Sequence, residues 1–423
     1  MMRLSLAHGT HSLSWTAGRE GSHVARAALF MLASQVEAGH GCPVSMTHAA
    51  VPALRAWAPE LAAEWEPRLT ATDSVFCGMA MTERQGGSDV RANTTRAEPV
   101  SGDEYELHGS KWFCSAPQSR IFLVLAQAPG GLSCFLLERG PGFEIQRLKD
   151  KLGDRSNASS EIELRAARAR LVGEEGRGVR TIVEMVVHTR LDCVLGTAAG
   201  MRQAVEQATW HAAHRSAFGA LLIDQPLMQN VLADLCVESE AATVTALRLA
   251  RAYDRRATDE REAAFARIAT AIAKYWVCKR GPAHAAEALE CLGGNGYVEE
   301  SGMPRVYRQQ PLLSIWEGSG NVVCLDVLRA LQREPETLEA FLGELEPEQR
   351  ADAEAAVAGA DEATARHVVE RLALALQTSL LIRHAPAAVA DAFQSRTGTA
   401  YGTLPANIDT AAIIARHRPE KRL

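Results

Sequence analysis

The chain has 423 residues, enough for two or three compact domains with hydrophobic cores. Its formal net charge is −6 and its charges of both signs are interspersed, which excludes a protein that recruits nucleic acid through overall charge. Nine cysteines without a Cys-x-x-Cys pair argue against a disulfide framework or a zinc ribbon. No apolar run reaches the roughly 18 residues that span a bilayer, so we expect a soluble, cytoplasmic protein.

Helical periodicity opens the chain. From Ser22 to about Leu61 apolar residues recur every three or four positions, with breaks at Cys42-Pro43 and at Pro59. This pattern predicts two or three helices.

Candidate metal ligands are closest together in the same region, at His40, Cys42 and His48. Pro43 interrupts them and no second cluster completes a tetrahedral site, so we predict ordinary packing and no metal.

Between about residues 73 and 172 the sequence pattern changes to short runs typical of β-strands, separated by turn residues. The runs are 104–107, 122–125, 133–137 and 161–164. They predict one small β-barrel or sandwich.

Long helical segments follow, at about 181–213, 229–256 and 261–292, and they suit an antiparallel helical bundle. After Arg333, Pro335 and Pro347 mark two hinges, and two more alanine-rich helices are expected before a tail that contains glycine and proline.

A dinucleotide fingerprint is absent, since no Gly-x-Gly-x-x-Gly follows a β run, which argues against a Rossmann fold. Glycine-rich sites occur instead at 85–89, 293–296 and 317–321. Such sites let a backbone approach a ligand and offer N–H donors to an anion, although turns need glycine too.

Five ordered segments carry a family resemblance, namely 82–89 (Thr-Glu-Arg-Gln-Gly-Gly-Ser-Asp), 109–115 (Gly-Ser-Lys-Trp-Phe-Cys-Ser), 215–219 (Arg-Ser-Ala-Phe-Gly), 292–297 (Leu-Gly-Gly-Asn-Gly-Tyr) and 316–319 (Trp-Glu-Gly-Ser). They resemble signatures of the acyl-CoA dehydrogenases. Segments 84–90, 149–158 and 314–321 resemble more closely the DNA-alkylation-response branch of that family, the AidB type, which also has a helical extension.

The resemblance implies a mainly α fold with an inserted β domain. Its parts would be a remnant of an N-terminal helical domain (1–75), a β-barrel middle domain (76–175), a flavin-binding helical bundle (176–333) and a C-terminal helical extension (334–423). Because only about eighty residues precede Thr82, we expect the first part of the N-terminal domain to be missing.

The resemblance also implies one FAD per subunit, an acyl-CoA or similar substrate, and a homo-oligomer, a dimer or homotetramer. Glu317 would be the base that removes the α-proton, whereas without the resemblance it would simply cap the helix that starts near Asn321. The residues implied to bind the cofactor are Met79, Met81, Thr82, Gly87, Ser88, Trp112, Phe113, Ser115, Arg215, Phe218, Gln225, Glu290, Gly293, Gly294, Trp316, Ser319 and Asn321.

Roles differ within this set. Arg215 would contact the flavin phosphates, although without the resemblance an arginine at this position would also suit a surface ion pair. Thr82, Ser88 and Ser115 would bond the flavin ring, and Ser319 and Asn321 the adenine-diphosphate side. Phe113, Glu290 and Trp316 stand where many members have isoleucine, glutamine and tyrosine, which leaves the acyl specificity open.

Two function classes follow: a FAD-dependent α,β-dehydrogenase of acyl-CoA, and an alkylation-response flavoprotein whose C-terminal region binds duplex DNA. From Leu331 onward there are fourteen acidic and ten basic residues, so the extension as a whole is not a basic module. Basic residues gather only at Arg416, Arg418, Lys421 and Arg422. A third alternative is that the extension only buries alanine-rich faces between subunits.

Overall fold

The structure, a computed structural model, describes residues 1–419. It separates into two compact units, Met1–Asp192 and the chain from Cys193 onward. Among the described residues, no helix combines the length and the apolar character needed to cross a membrane.

Five helices open unit 1: α1 Met2–Ala7, α2 Leu13–Thr16, α3 Ser22–Val36, α4 Gly41–Trp57 and α5 Pro59–Leu69. Prolines set where two of them begin. Pro43 lies in the first turn of α4 and Pro59 at the start of α5, where a missing N–H costs no helical hydrogen bond. The helices predicted here are therefore confirmed, and the break at Pro43 is the start of a helix.

The β domain of unit 1 contains β1 Cys77–Ala80, β2 Arg96–Ser101, β3 Glu104–Ser115, β4 Ile121–Ala128, β5 Gly131–Glu138, β6 Phe143–Leu148 and β7 Ser159–Val172. The strand order is β1-β4-β2-β3-β7-β5, with β6 beside β7, and pairing of β4 with β5 closes the ring. All four predicted β runs lie inside these strands.

Strand β4 is buried on both faces, which explains its continuous apolar run. Leu123 and Leu125 share a core with Leu54 of α4 and Trp65 of α5. Phe122 and Val124 point the other way, into the β domain, beside Phe135 and Leu137. The helices thus cover one side of the barrel and fix β1 and β4 in place.

A cluster of aromatic rings lies among the helices of unit 1. The Trp15 ring stacks on His48 at 4.7 Å between centroids, and His23 and His188 lie 5.9 and 5.6 Å from His48. Burial lowers the pKa of His48 well below its ordinary 6.5, and the positive charge of Arg26 and the neighbouring imidazoles lower it further. His48 is therefore neutral in the folded protein.

Helix α6, Gly178–His214, runs from unit 1 into unit 2, and the other helices of unit 2 are α7 Pro226–Arg255, α8 Glu260–Glu290, α9 Gly294–Tyr297, α10 Met303–Leu313, α11 Gly320–Arg333, α12 Pro335–Leu342, α13 Pro347–Val357, α14 Ala365–His384, α15 Ala387–Gln394 and α16 Thr410–His417. A short hairpin of β8 Ser216–Ala217 and β9 Ala220–Leu221 follows α6. The three long predicted helices are confirmed as α6, α7 and α8.

The extension holds more helices than the two expected from its alanine-rich runs, because Pro335 and Pro347 begin α12 and α13. Its apolar residues, including Leu381, Phe393 and Ile413, share a core with Leu235 of α7. These residues are buried within the chain itself, whereas in the alanine-rich helix α13 only Ala353 is buried.

A buried ionic network attaches the extension to the bundle. Glu238 of α7 accepts hydrogen bonds from Arg280 of α8 at 3.1 Å and from Arg396 at 2.6 Å. Burial would raise the pKa of Glu238, but the two guanidinium groups lower it to about 2. The carboxylate thus stays charged and ties residue 396 to two helices of the bundle.

Acidification should destabilise the protein through His48. The unfolded chain binds a proton at this residue below about pH 6.5 while the folded chain does not, so its contribution is complete above that pH and is lost below it. We expect the unfolding free energy of the wild type minus that of His48→Gln to be constant from pH 7 to 8. Below pH 6.5 it should fall by up to about 1.4 kcal/mol per pH unit.

Urea unfolding between pH 5 and 8 measures this difference, and exposed His367→Gln on α14 is the matched control, expected to show a much smaller slope. Equal slopes for the two variants would contradict the assignment to His48.

Candidate active site

The predicted site residues of unit 1 lie on β1, on the loop after it and on β3. Met79 is in β1, and Thr82 follows that strand and accepts a 2.8 Å hydrogen bond at its carbonyl from the N–H of Trp112 on β3. A Cβ atom on Gly87 would lie 2.5 Å from the Thr82 Oγ1 atom, so only glycine fits there. The structure thus brings Thr82, Gly87 and Trp112 together, with Met81 beside them in sequence, while Ser88 lies on the exposed part of the loop.

A buried ion pair lies directly under these residues. Lys111 Nζ lies 2.7 Å from Glu83 Oε1, and the side chains are 0% and 3% exposed. Glu83 also accepts from the N–H groups of Thr94 and Thr95 at 2.7 and 3.1 Å. Burial would raise the pKa of Glu83, but Lys111 and these donors lower it to about 2. Both groups of the pair are therefore charged, and the ion pair holds the neighbouring residues Thr82 and Trp112 in place.

Trp112 and Phe113 lie at a β-bulge, where the pairing of β3 with β7 shifts between Lys111 and Cys114. A bulge re-aims side chains, and Phe113 is 47% exposed although its strand neighbours Lys111 and Cys114 are buried. Lys149 Nζ lies 3.2 Å from the centroid of the Trp112 ring and donates to Glu161 Oε1 at 2.6 Å. One face of the indole is therefore covered by an ammonium group.

Ser115 ends β3 beside the segment 149–158, which carries the branch-specific motif. Its hydroxyl lies 3.4 Å from Ser159 Oγ, which accepts from Lys151 Nζ at 3.1 Å. Asp154 is buried close by, and this burial raises its pKa to about 6 even though Lys151 counteracts the shift. The hydroxyl of Ser115 thus belongs to a polar cluster in the β domain.

In unit 2, Arg215 directly precedes the hairpin of β8 and β9, Phe218 lies at its tip and Gln225 follows it. Gln225 Nε2 donates to the carbonyl of Ala217 at 3.1 Å, so this side chain stabilises the backbone of the hairpin. Arg215 is exposed, and Phe218 at the hairpin tip is 99% exposed with a φ of +53°. In the single chain the whole ring of Phe218 is exposed to solvent, which favours a contact with another molecule.

Glu290, Gly293 and Gly294 lie at the end of α8. The N–H of Gly293 donates to the carbonyl of Glu290 at 2.8 Å, and Gly293 has a φ of +58°. No atom lies within 4 Å of a Cβ built on Gly293 or Gly294, so the backbone is open on that side. Glu290 itself is exposed.

Trp316 and Glu317 lie on the loop before α11. Glu317 has a φ of +57° and Gly318 a φ of +102°, so the backbone is left-handed at both positions. Lys274 of α8, 1% exposed, donates from Nζ to the carbonyl of Ser314 at 3.4 Å and also to the carbonyl of Gly318. A buried ammonium group thus anchors both ends of the turn that carries Glu317.

Ser319 and Asn321 begin α11. Ser319 is the N-cap residue but its side chain makes no capping hydrogen bond. Asn321 Oδ1 accepts from Arg366 Nε of α14 at 2.8 Å, so an extension helix holds this amide. The helix starts at Gly320, and its N-cap position is occupied by Ser319.

Five non-glycine residues in the described chain have a positive φ: Ala116, Asp154, Ala166, Phe218 and Glu317. Four of them lie within or directly beside the segments that carry the resemblance. Such conformations cost on the order of 1–3 kcal/mol each and persist where the surroundings impose them, often at functional sites. Two of the five, Phe218 and Glu317, are themselves predicted site residues.

The discarded metal candidates have other partners. His40 Nε2 lies 2.9 Å from Ser5 Oγ, and His48 Nδ1 lies 3.2 Å from the carbonyl of His11. Within residues 1–419 no group of three or more histidine, cysteine or acidic side chains is arranged to hold a metal ion.

Family models match three stretches of the chain. The acyl-CoA dehydrogenase middle domain matches residues 78–167 and the C-terminal domain of the same family matches residues 176–332. The N-terminal domain of the adaptive response protein AidB matches residues 1–74. The chain belongs to the acyl-CoA dehydrogenase family.

Individual relatives agree with this placement within the acyl-CoA dehydrogenases. The putative acyl-CoA dehydrogenase AidB of Escherichia coli K12 is 49% identical over 353 residues, which cover 79% of this chain and 65% of that protein. This chain therefore spans slightly less than two thirds of that relative's length.

Solved structures show the same fold. The apo form of Bd2924 superposes with a TM-score of 0.86 at 31% identity, covering 90% of this chain and 82% of that one. Caenorhabditis elegans ACDH-11 in complex with C11-CoA gives a TM-score of 0.85 at 27% identity, covering 98% and 78%. The expected acyl-CoA dehydrogenase fold, helical at both ends with a middle β domain, is thus confirmed.

Sequence reasoning missed three basic residues beside the predicted site residues. In unit 1 these are Lys111, the partner of Glu83, and Lys149, which lies over Trp112; in unit 2 it is Lys274, which holds the Glu317 turn. Lys274 left a signal, because it is the one charged residue in the run from Ile268 to Cys278. Lys149 left none, since its contact with Trp112 depends on the pairing of β6 and β7.

Breaking the ion pair beneath Thr82 and Trp112 should cost much more than breaking a surface pair. Lys111→Met leaves a buried, uncompensated carboxylate, so we expect the free energy of unfolding to fall by about 3–5 kcal/mol. The matched control is Arg120→Met, which breaks an exposed pair with Glu138 and should cost under about 1 kcal/mol. Denaturant unfolding compares the two, and similar losses would show that the buried pair does not stabilise the fold.

Proposed function

We propose that this protein is a FAD-dependent oxidoreductase that introduces an α,β double bond into an acyl-CoA thioester, with Glu317 as the base. The observation that carries the proposal is the left-handed turn at Glu317, which buried Lys274 holds from both sides. Membership of the acyl-CoA dehydrogenases supports it, and the C. elegans relative was solved with an acyl-CoA.

The reaction needs a carboxylate that takes the α-proton of the thioester, and Glu317 is the residue that the family motif assigns to this task. When FAD is bound, it supplies the acceptor for the hydride that leaves the β-carbon. Glu317 is partly shielded from solvent. Water stabilises a charged carboxylate, so a carboxylate becomes a stronger base when a substrate displaces water from it. The braced turn would keep the carboxylate in place without reorganisation.

The residues fit a flavin in several ways. Gly293 and Gly294 leave backbone open to close approach by a ligand, and Trp112 and Phe113 are turned out of their strand by the bulge. We propose that Thr82, Ser88 and Ser115 bond the ring system.

Other residues would bind the rest of the cofactor. We propose that Arg215 and Phe218 contact it from the hairpin, where both are exposed, and that Ser319 contributes the hydroxyl that does not cap α11. Asn321 would contribute only if its bond to Arg366 rearranged.

Exposed apolar side chains support self-association of unit 2. Phe218, Leu227 and Tyr297 are 99%, 83% and 82% exposed. Burying such side chains is the usual driving force of subunit contacts, and we propose a homo-oligomer, a dimer or tetramer. Size-exclusion chromatography with light scattering tests this, and a monomeric mass would contradict it.

Duplex DNA binding through the C-terminal region is the weaker alternative. Arg416 Nη2 pairs with Glu240 Oε1 at 2.7 Å, and the predicted basic residues Lys421 and Arg422 lie outside the described residues. Fluorescence anisotropy with a labelled duplex tests the electrostatic version, in which affinity falls steeply between low and near-molar salt. Binding unchanged across that range would refute it.

Replacing the base should remove turnover but not the cofactor. We expect Glu317→Gln to lower acyl-CoA turnover by roughly two to four orders of magnitude, since the amide cannot accept the α-proton, while flavin stays bound. Exposed Glu300→Gln is the control and should keep wild-type turnover. Unchanged turnover in Glu317→Gln would remove this residue from the mechanism.

The purified protein should show the visible spectrum of oxidised flavin, and anaerobic mixing with straight or branched acyl-CoAs should bleach it. Bleaching identifies the acyl class because only a substrate delivers electrons to the flavin. Flavin without bleaching would favour the binding-protein alternative. A protein that holds no flavin after purification and takes up none when FAD is added would contradict the assigned cofactor.

A further inference from the structure

A concave pocket of about 500 Å³ lies in unit 1, and none of the residues assigned to the flavin or to catalysis lines it. Its lining consists of three arginines, one glutamine and three apolar or small residues: Arg91, Arg177, Arg180, Gln127, Leu132, Val179 and Gly176. No acidic side chain is among them. The lining thus combines three positive charges with an apolar wall.

Arg91 is held in place by Gln127. Gln127 Nε2 donates to the carbonyls of Arg91 at 3.1 Å and Asn93 at 3.0 Å, and its own N–H donates to Thr95 at 2.8 Å. These hydrogen bonds attach the turn that contains Arg91 to β4, so the backbone that carries the Arg91 side chain is held in place.

Arg177 and Arg180 enter from the start of α6, where glycines allow a close approach to the β domain. Gly176 has a φ of +74°, and a Cβ atom there would lie 2.5 Å from the carbonyl oxygen of Gly130. The N–H of Gly176 donates to Ser133 Oγ at 2.9 Å. The Arg180 guanidinium lies over the Trp57 ring at 5.2 Å, which restricts its orientation.

The positive charge of the pocket is poorly compensated. In the described part of the chain, Arg177 pairs only loosely with Glu174, at 3.8 Å, and neither Arg91 nor Arg180 has an ion pair. The first turn of α6, a helix of 37 residues, adds N–H donors and the positive end of the helix dipole. An anion in the pocket would meet donors from two separate segments.

We propose that this pocket binds the phosphate of an organic phosphate ester of nucleotide size. Guanidinium groups bind phosphate oxygens bidentately, and a pocket of this volume exceeds what an inorganic phosphate fills. Leu132 and Val179 give the organic part an apolar surface. The proposal does not rest on the dehydrogenase reaction, because none of these residues takes part in it.

Isothermal titration of the full chain with adenosine 3′,5′-bisphosphate tests the proposal. We expect Arg91→Gln and Arg180→Gln each to weaken binding by about 10-fold or more, as a lost charge-assisted hydrogen bond requires, with flavin content unchanged. Arg168→Gln, an exposed arginine on β7 outside the pocket, is the control and should keep wild-type affinity. An equal loss in the control, or no loss in the pocket variants, would overturn the proposal.

Two further titrations identify what is recognised. Inorganic phosphate should bind at least 10-fold more weakly than the bisphosphate, and equal affinity would contradict the role of the apolar wall. Coenzyme A carries the same phosphates on a longer molecule. Tighter binding of coenzyme A assigns the pocket to a thioester ligand, and equal binding assigns it to a free nucleotide; in both cases the pocket variants must weaken the binding.

Discussion

The buried pair of Glu83 and Lys111 is the interaction on which the predicted site of unit 1 depends. It joins the loop after β1 to β3 in a region that excludes water, where an unpaired charge would be very unfavourable. Glu83 is additionally bonded by the N–H groups of Thr94 and Thr95, so the whole loop is tied to one carboxylate. Thr82 and Trp112 are the sequence neighbours of the pair and are placed by it.

The same arrangement recurs in unit 2, where buried cations hold backbone instead of another side chain. Lys274 bonds two carbonyl groups that flank Glu317, and this bracing is the local compensation for a left-handed glutamate. Arg280 and Arg396 surround Glu238 and attach the end of the extension to the bundle. In each case a buried charge has polar partners, and these partners lie in the neighbouring segment.

The extension has consequences for function because it is part of the fold. Its helices complete the core of unit 2, and Arg366 of α14 holds Asn321 at the start of α11. A region used in this way has fewer groups left for a separate binding role, and the ion pair of Arg416 with Glu240 agrees with that. A group of three weakly compensated arginines lies instead in the pocket of unit 1, on the β domain and the start of α6.

The sequence by itself determined the family, the order of helical and β segments and the positions of the motifs, because periodicity and short-range turn chemistry are local properties. Its motifs led us to predict Glu317 and Arg215 as site residues, but it underestimated the number of extension helices and gave no sign of the bulge at Trp112 and Phe113. Only the tertiary structure decided that Lys111 pairs with Glu83, that Lys274 supports the turn of Glu317 and that Arg91 and Arg180 line one pocket. These pairs lie from 28 to 89 positions apart in the numbered chain, and such distances are closed by packing, which no local pattern encodes.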